Sequence, residues 1–209
     1  MYLVNSPYLL RKFFSRNIIW NIPTQEKVIY LTFDDGPIAE ITPLILKTLK
    51  EFNAKATFFC VGENVKKELA IFDEIIKENH SVGNHTFNHL NGWKTKTKHY
   101  VDNVFECEKF FKTSLFRPPY GKLKLSQFLR LKKNFKIVFW SVLSGDFDQN
   151  TSKEKCLKNA IDNTTNGTVI VFHDNLKAKT NLYYALPKYL EHFSLQGYVF
   201  KAVAIPSQT

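Results

Sequence analysis

Apolar residues along this chain follow two alternating patterns. Short runs of apolar, β-branched and aromatic residues without regular polar alternation are typical of strands buried on both faces. Between these runs, apolar residues recur every three or four positions, which predicts amphipathic helices. The predicted strands are 28–33, 56–61, 81–84, 115–116, 135–140, 168–172 and 198–205. The predicted helices are 42–53, 64–79, 98–112, 123–133, 152–163 and 183–193.

Strand and helix alternate along the whole chain, which predicts βαβ units and an α/β fold with a parallel sheet. About seven strands are predicted, one fewer than in the usual eight-stranded barrel. Polar clusters follow directly after predicted strands, at Asp34-Asp35, His85 to His89, Arg117 to Gly121, Trp140 to Asp148 and His173-Asp174. Active sites of α/β barrels lie at the carboxyl ends of the strands. The placement of these clusters therefore indicates an enzyme.

The composition indicates a well-packed protein with a basic surface. The chain has 209 residues, of which 44% are hydrophobic, enough for one domain with a substantial core. A net charge of +10 can favour anionic partners. The lysines are spread along the sequence, however, and none of the common nucleic-acid-binding motifs is present. No nucleic-acid partner is therefore expected.

The number of cysteines and the hydropathy of the chain bear on where in the cell the protein is located. The three cysteines are widely spaced and odd in number, which predicts neither a disulfide framework nor a cysteine zinc site. No apolar run approaches the roughly 20 residues that span a bilayer. The amino terminus lacks the pattern of a secretory signal, because Arg11, Lys12 and Arg16 interrupt its apolar residues. A cytoplasmic location is expected, with export by another route left open.

Residues 1–27 are predicted to be a segment that packs on a catalytic domain formed by residues 28–209. This segment mixes apolar residues such as Leu9, Phe13 and Ile18 with basic ones. An amphipathic helix that makes peripheral contact with a membrane is the alternative. Packing is favoured because such patterns are common in ordinary domains.

The first chemical signal is the pair of carboxylates at Asp34 and Asp35. Neighbouring side chains in a strand point to opposite faces, so the pair can share a site only where the backbone turns at the strand's end. The two imidazoles of His85 and His89 lie four residues apart, on one face if the segment is helical. Two imidazoles and a carboxylate provide a three-ligand metal site with open positions for water and substrate.

Four motifs then carry a resemblance to a known family. Thr32 to Pro37 reads T-F-D-D-G-P, and His85 to His89 reads H-T-F-N-H. Arg117 to Gly121 reads R-P-P-Y-G, and Val171 to Asp174 reads V-F-H-D. In order and spacing these segments resemble the motifs of the polysaccharide deacetylase family, the carbohydrate esterase group that includes the nodulation-factor deacetylases. The resemblance covers roughly residues 28–205 and implies a distorted (β/α) barrel, usually described with seven strands.

The resemblance also implies a role for each matching residue. Asp35, His85 and His89 would bind the metal, and Asp34 would be the general base. Arg117 would orient Asp34 and keep it ionised through a charge-assisted hydrogen bond.

The remaining implied roles concern the oxyanion and the leaving group. His173 would be the general acid, with Asp146 holding its ring. The backbone N–H of Tyr120 would help to hold the oxyanion. The metal would be divalent, most favourably Zn²⁺, with Co²⁺ as another transition metal that suits the site.

The fourth motif departs from the family pattern, which often reads W-x-x-D-x-x-D-W. Here Leu143 replaces the first acid and Phe147 replaces the final tryptophan, whereas Asp146 is kept. Val171 stands where the fifth motif of the family usually has leucine. Phe147 and Val171 are predicted to shape the acetyl pocket, and these two departures leave the identity of the substrate open. Trp93 is predicted either to stack on a sugar ring or to be a core aromatic, and the sequence favours neither.

The resemblance implies a metal-dependent hydrolase that removes acetyl groups from an N-acetylated sugar or polysaccharide. An O-acetyl esterase or small-amide hydrolase using the same site is one alternative. A non-catalytic glycan-binding or membrane-associated relative is another, and the intact ligand set and acid–base pair argue against it. Phosphate chemistry is disfavoured because the chain has no glycine-rich phosphate loop.

Overall fold

The computed structural model describes residues 18–204. Within this part of the chain, nine strands form a single sheet in which every ladder is parallel. The strands are β1 (Ile18–Ile19), β2 (Val28–Asp34), β3 (Thr57–Cys60), β4 (Ser81–Asn84), β5 (Leu115–Phe116), β6 (Lys136–Val138), β7 (Val142–Leu143), β8 (Val169–His173) and β9 (Val199–Lys201).

Helices occupy most of the connections between the strands. They are α1 (Thr42–Glu51), α2 (Gly62–Lys67), α3 (Leu69–Lys77), α4 (Thr97–Glu106), α5 (Leu125–Leu131), α6 (Lys153–Asp162) and α7 (Lys179–Leu195). Short 3₁₀ turns lie at Gly92–Lys94, Cys107–Lys109 and Pro119–Gly121. None of the described helices is both long and apolar enough to cross a bilayer.

The strand order is β1-β6-β5-β4-β3-β2-β8-β7, and β9 pairs with the first half of β2. Between residues 18 and 204 no ladder joins β1 to β7, so the sheet is a curled, incompletely closed barrel. The predicted distorted barrel is therefore confirmed. The strand count is nine rather than about seven because β1 and β7 are short strands outside the predicted runs, defined by their pairing with β6 and β8.

The central strand β2 separates the helix-packed core from the barrel interior. Ile29, Leu31 and Phe33 alternate along the strand and pack in the largest apolar cluster, against the helices. Thr32 and Asp34 lie on the other face, and both are buried. The register pairs Asp34 with Phe59 of β3 on one side and with His173 of β8 on the other. This register brings Asp34 and His173 to the same level at the carboxyl end of the barrel.

The predicted helix 64–79 is two helices, α2 and α3, that meet at Glu68. The backbone of Glu68 leaves the helical region, with φ −121° and ψ 46°. The apolar spacing continues across this residue, which is why the pattern predicts one helix.

The amino-terminal segment is described only from residue 18, and residues 1–17 lie outside the described part of the chain. Ile18 and Ile19 form strand β1, which pairs with β6, rather than part of an amphipathic helix. Trp20 stacks on Phe139 with ring centroids 4.4 Å apart. The sheet therefore begins before residue 28, the predicted start of the catalytic domain.

Candidate metal centre and active site

Three side chains from two neighbouring loops converge at the carboxyl end of the barrel. One ligand atom each from Asp35, His85 and His89 can be chosen so that all three lie within 4.8 Å of one another. The Nε2 atoms of His89 and His85 lie 3.0 and 3.5 Å from Asp35 Oδ1. Within residues 18–204 no other set of three such ligands forms a comparable cluster.

The segment from His85 to His89 is an irregular loop, so the two histidines do not share a helix face as expected. Thr86 and His89 have left-handed backbones, with φ of 62° and 53°, which an α-helix excludes. Asn103 Oδ1 accepts the N–H groups of the two residues after Thr86, at 3.0 and 3.1 Å. This bonding from α4 fixes a loop conformation that turns both imidazoles towards Asp35.

A backbone carbonyl sets the tautomer of His85. His85 Nδ1 lies 2.7 Å from the carbonyl oxygen of Arg117. A carbonyl oxygen only accepts hydrogen bonds, so Nδ1 carries a proton, and Nε2 is the ring nitrogen that faces Asp35 and can bind a metal. Hydrogen bonds of this kind orient metal-binding histidines.

The Asp35 carboxyl is held in its ionised form. Burial favours the neutral acid, but hydrogen bonds to His85 and His89 and the charge of His173 outweigh burial. Together they hold the pKa of Asp35 well below its usual range. A carboxylate beside two imidazoles is the donor set that divalent transition metals such as zinc prefer. The residues therefore fit the metal that the sequence implies.

Asp34 lies beside this cluster and is fixed by Arg117. Arg117 is fully buried in the barrel interior, and its Nη1 donates to Asp34 Oδ1 at 2.6 Å and to Thr32 Oγ1 at 2.8 Å. The other guanidinium nitrogens donate to the carbonyl oxygens of Val138 and Phe139, at 3.1 and 2.9 Å. The guanidinium therefore has one orientation, and it positions the carboxylate of Asp34.

The His173–Asp146 pair closes the opposite side of the site. Asp146 Oδ1 lies 2.8 Å from His173 Nδ1, and Oδ2 accepts the backbone N–H of His173 at 2.7 Å. Burial lowers the pKa of His173, but the charge and hydrogen bond of Asp146, with smaller contributions from Asp35 and Asp34, raise it to about 9. With Nδ1 engaged, the proton on Nε2 is the one available to the cleft.

Replacing Asp146 with asparagine is expected to move the alkaline limb of the kcat/KM profile to lower pH. The general acid must be protonated, so activity falls as pH rises through the pKa of His173, which Asp146 raises. The amide of the Asp146→Asn variant keeps an oxygen for Nδ1 but removes the charge. The limb is measured with metal-saturated protein across neutral and alkaline pH. Asp148→Asn, a nearby acid that does not contact His173, is the control, and an unmoved limb in Asp146→Asn contradicts the pairing.

The predicted substrate-binding residues occupy different positions around the cleft. The Tyr120 ring is 59% exposed and meets the His89 ring edge-on, with centroids 4.6 Å apart. The Phe147 ring meets His173, with centroids 4.8 Å apart. Val171 is fully buried two residues before His173 and presents no accessible surface. Trp93 is 62% exposed, which excludes the interpretation as a core aromatic.

Asp174, adjacent to the predicted acid, is a structural residue to which the sequence assigned no role. Its Oδ1 accepts the N–H of Gly36 at 2.7 Å, and its Oδ2 accepts the hydroxyl of Thr42 at 2.8 Å. Thr42 is the first residue of α1, and Ile41 is the N-cap. A Cβ atom on Gly36 would overlap the Asp174 carboxylate, so only glycine fits there.

The buried carboxyl of Asp174 therefore fixes the turn that presents Asp34 and Asp35. Burial raises its pKa to about 8, and the hydrogen bonds from Thr42 and Gly36 oppose that shift. Asn175 is a second residue that sequence reasoning missed, and its Nδ2 donates to Asp35 Oδ2 at 2.5 Å. Asp174 belongs to the cluster that follows the predicted strand 168–172, and Asn175 is the next residue of the chain. Their place after a strand was the available signal.

The known proteins that this chain resembles in sequence are deacetylases of polysaccharides and oligosaccharides. The family model described as polysaccharide deacetylase matches residues 21–138. The chain is similar to a peptidoglycan-N-acetylglucosamine deacetylase of Bacillus cereus, with 32% identity over 90% of this chain and 91% of the relative. It is also similar to a chitooligosaccharide deacetylase of Azorhizobium caulinodans, with 31% identity over 73% of this chain and 76% of the relative.

Among solved structures, the chain resembles the Bc1960 peptidoglycan N-acetylglucosamine deacetylase. The two share 31% sequence identity and superpose with a TM-score of 0.84. The match covers 97% of this chain and 96% of that chain.

Proposed function

Because the chain belongs to the polysaccharide deacetylase family, we propose that it hydrolyses the N-acetyl groups of amino sugars in a glycan, with peptidoglycan as the substrate class. One observation carries this proposal. The Asp35–His85–His89 cluster, the Arg117-bound carboxylate of Asp34 and the His173–Asp146 pair all gather at the carboxyl end of one barrel.

Asp35, His85 and His89 would hold the metal, for which we propose Zn²⁺. When bound, a divalent metal supplies Lewis-acid polarisation of the acyl oxygen and a water of lowered pKa. Three protein ligands leave coordination positions open, as catalytic zinc sites require.

The chain's own residues move the protons. Asp34 would take a proton from the attacking water, while Arg117 keeps its carboxylate in place. As the C–N bond breaks, His173 would donate a proton to the departing amine, because an amide nitrogen leaves only when protonated. Asp146 would stabilise the imidazolium before this transfer, and the backbone N–H of Tyr120 would donate to the oxyanion.

The relatives support the choice of substrate. Relatives at 31–32% identity are named for the deacetylation of peptidoglycan N-acetylglucosamine and of chitooligosaccharides. Both substrates contain N-acetylglucosamine, so the amide of an N-acetylated glucosamine unit is the shared chemistry. The peptidoglycan relative covers more of this chain, which favours peptidoglycan.

Metal analysis combined with an acetate-release screen tests the proposal. Purified protein is analysed for bound metal and then assayed on peptidoglycan fragments, chitooligosaccharides and O-acetylated xylan. We expect about one divalent metal per chain and release of acetate from the N-acetylated glycans, with loss on chelation and recovery on addition of Zn²⁺. Release from acetylated xylan alone would show an O-acetyl esterase. Release from none of them would contradict the proposal.

Trp93→Ala is expected to weaken oligosaccharide binding without lowering the melting temperature. The indole is mostly exposed, so its removal leaves no cavity in the core, whereas a sugar face would lose its stacking partner. Isothermal titration with chitopentaose and a thermal melt provide the two measurements. Leu195→Ala, at an exposed apolar site in the last turn of α7, is the control. Unchanged affinity in Trp93→Ala would contradict the role as a sugar platform.

A further inference from the structure

A basic surface borders the cleft on the side of the metal ligands. We use the name basic lip for residues 92–98 and 120–126, the segments that follow His89 and Arg117. The basic lip contains five lysines and no acidic residue. Lys98 pairs with Asp102 of α4 at 2.8 Å, and the other four lysines form no ion pair with a described residue. The fold thus brings the lysines of two separate segments together beside the site.

Side-chain contacts lock the two segments of the basic lip together. Gln127 is fully buried, and its Nε2 donates to the carbonyl oxygen of Gly92 at 2.9 Å. Lys124 Nζ donates to the carbonyl oxygen of Thr95 at 2.8 Å. A Cβ on Gly92 would overlap the carbonyl oxygen of Lys122, so the backbones approach as closely as glycine allows. The basic lip therefore has a fixed shape.

Exposed aromatic rings alternate with the cations of the basic lip. Lys122 Nζ lies 5.3 Å from the centroid of the Trp93 ring. Tyr120 connects this region to the metal cluster through its contact with His89. Lys94 and Lys96 are exposed and form no ion pair with any described residue. Apolar ring surfaces are thus interspersed with uncompensated positive charge at the border of the site.

We propose that the basic lip binds acidic substituents on the sugar units next to the one being deacetylated, so that the preferred substrate is an anionic N-acetylated glycan. This inference rests on the proposed function. Ring surfaces suit the faces of sugars, and the lysines match carboxylates in charge. A polymer reaching the site across this surface meets both features, whereas a neutral chitin-type chain uses only the rings.

Paired substrates of equal length test this inference. Acetate release is measured on neutral chitopentaose and on an oligosaccharide of alternating N-acetylglucosamine and N-acetylmuramic acid units, which carry lactyl carboxylates. We expect kcat/KM for the anionic substrate to be higher at low salt and to fall more steeply with ionic strength. In Lys94→Gln/Lys96→Gln/Lys122→Gln, the ratio of anionic to neutral kcat/KM should fall about tenfold, since each exposed contact contributes up to about fivefold.

Lys47→Gln/Lys50→Gln/Lys77→Gln makes the same charge change at exposed lysines of α1 and α3 and is the control, since Lys50 and Lys77 lie in the last turns of these helices, ahead of β3 and β4. A triple variant that keeps the wild-type ratio and salt dependence overturns the inference. If the wild type releases no acetate from either substrate, the proposed function fails. Binding of the same oligosaccharides to the basic lip is then measured by calorimetry, and equal affinity for the anionic and neutral chains overturns the inference.

An independent observation concerns the metal-binding carboxylate. The two oxygens of Asp35 have different partners: Oδ1 faces the two histidines, and Oδ2 accepts from Asn175 Nδ2. Asn175 Oδ1 in turn accepts the N–H of Ala178 at 3.0 Å. Because the amide oxygen is used by a backbone donor, the amide nitrogen must face Asp35.

From this geometry we infer that Asn175 is a positioning residue that raises the metal affinity of the site. The Asn175 N–H occupies Oδ2 of Asp35. Oδ1, which faces His85 and His89, is then the oxygen left to bind a metal. The hydrogen bond from Asn175 also limits rotation of a side chain whose backbone has a φ of 88°. Partners of this kind typically change metal affinity by about 10–100-fold.

Metal affinity measured directly tests the role of Asn175. Apo-protein is titrated with Zn²⁺ in competition with a chromophoric chelator at fixed pH, and the unfolding temperature of the apo-protein is recorded alongside. Asn175→Ala is expected to bind Zn²⁺ about 10–100-fold more weakly. Asn175→Ser keeps an acceptor for the Ala178 N–H but is too short to reach Asp35, so it should weaken binding to a similar extent while better preserving the local turn.

Ser152→Ala removes the side-chain cap of α6, away from Asp35, and should leave metal affinity unchanged. Zn²⁺ affinity within twofold of wild type in both Asn175 variants overturns the inference. Loss of apo-protein stability with wild-type Zn²⁺ affinity gives Asn175 a purely structural role and also overturns it.

Discussion

Asp34→Asn should lower kcat/KM for acetate release by about 10²–10⁴-fold, the range contributed by a general base, while metal content stays at the wild-type level. The amide cannot take the proton of the attacking water. Its oxygen can still accept the hydrogen bond from Arg117, so the side chain keeps its place. Asp35, His85 and His89 are unchanged, and metal binding is therefore retained.

The measurement needs metal analysis and a stability check on the same preparation. Arg117 is fully buried against Asp34, and removing one charge of a buried pair costs about 3–5 kcal/mol in unfavourable cases. The assay is therefore run well below the melting temperature of the variant. Asp73→Asn, an exposed acid of α3, is the control. A near-native rate in Asp34→Asn would show that the base lies elsewhere.

His173→Ala should have an effect of similar size on N-acetyl substrates and a much smaller one on an aryl acetate. The departing amine requires a proton, and removing the general acid costs about 10²–10⁴-fold. The phenolate of an activated ester leaves without protonation. The ratio of the two activities therefore separates loss of the acid from general damage to the site.

Amide and ester turnover are compared in wild type, His173→Ala and His192→Ala. His192 is an exposed histidine of α7 that lies outside the cleft, and it controls for the loss of an imidazole. Equal losses on both substrates in His173→Ala would contradict the assignment. The Asp146→Asn pH profile provides a second, independent measure of the same pair.

The buried strands and the residues at their ends were predictable from the sequence. The runs that became β2 and β8 show no regular polar alternation, and each ends in a residue of the site, Asp34 or His173. Because parallel strands present their carboxyl ends on one side of the sheet, the sequence already placed Asp34 and His173 on the same side. The register that puts them level involves pairing between distant segments and becomes visible only in the fold.

Other features were not accessible because they depend on distant contacts. Strands β1 and β7 are two residues long, and partners in β6 and β8 define them. The loop after β4 has helical spacing between His85 and His89, yet Asn103 of α4 stabilises another conformation. The contact of Asn175 with Asp35 joins residues 140 positions apart. The basic lip likewise exists only because residues 92–98 meet residues 120–126.

Arg117 takes part in two interactions that no single substitution removes together. Its carbonyl oxygen binds His85, whereas its guanidinium binds Asp34. Replacing the Arg117 side chain can therefore remove its hydrogen bond to Asp34 while His85 stays oriented, because the main chain is retained in any variant. Conversely, a small displacement of the backbone at the end of β5 would move the metal-binding imidazole of His85 and the carboxylate of Asp34 at once. Redesign of substrate preference is therefore best confined to the residues around the entrance, with this strand terminus left as it is.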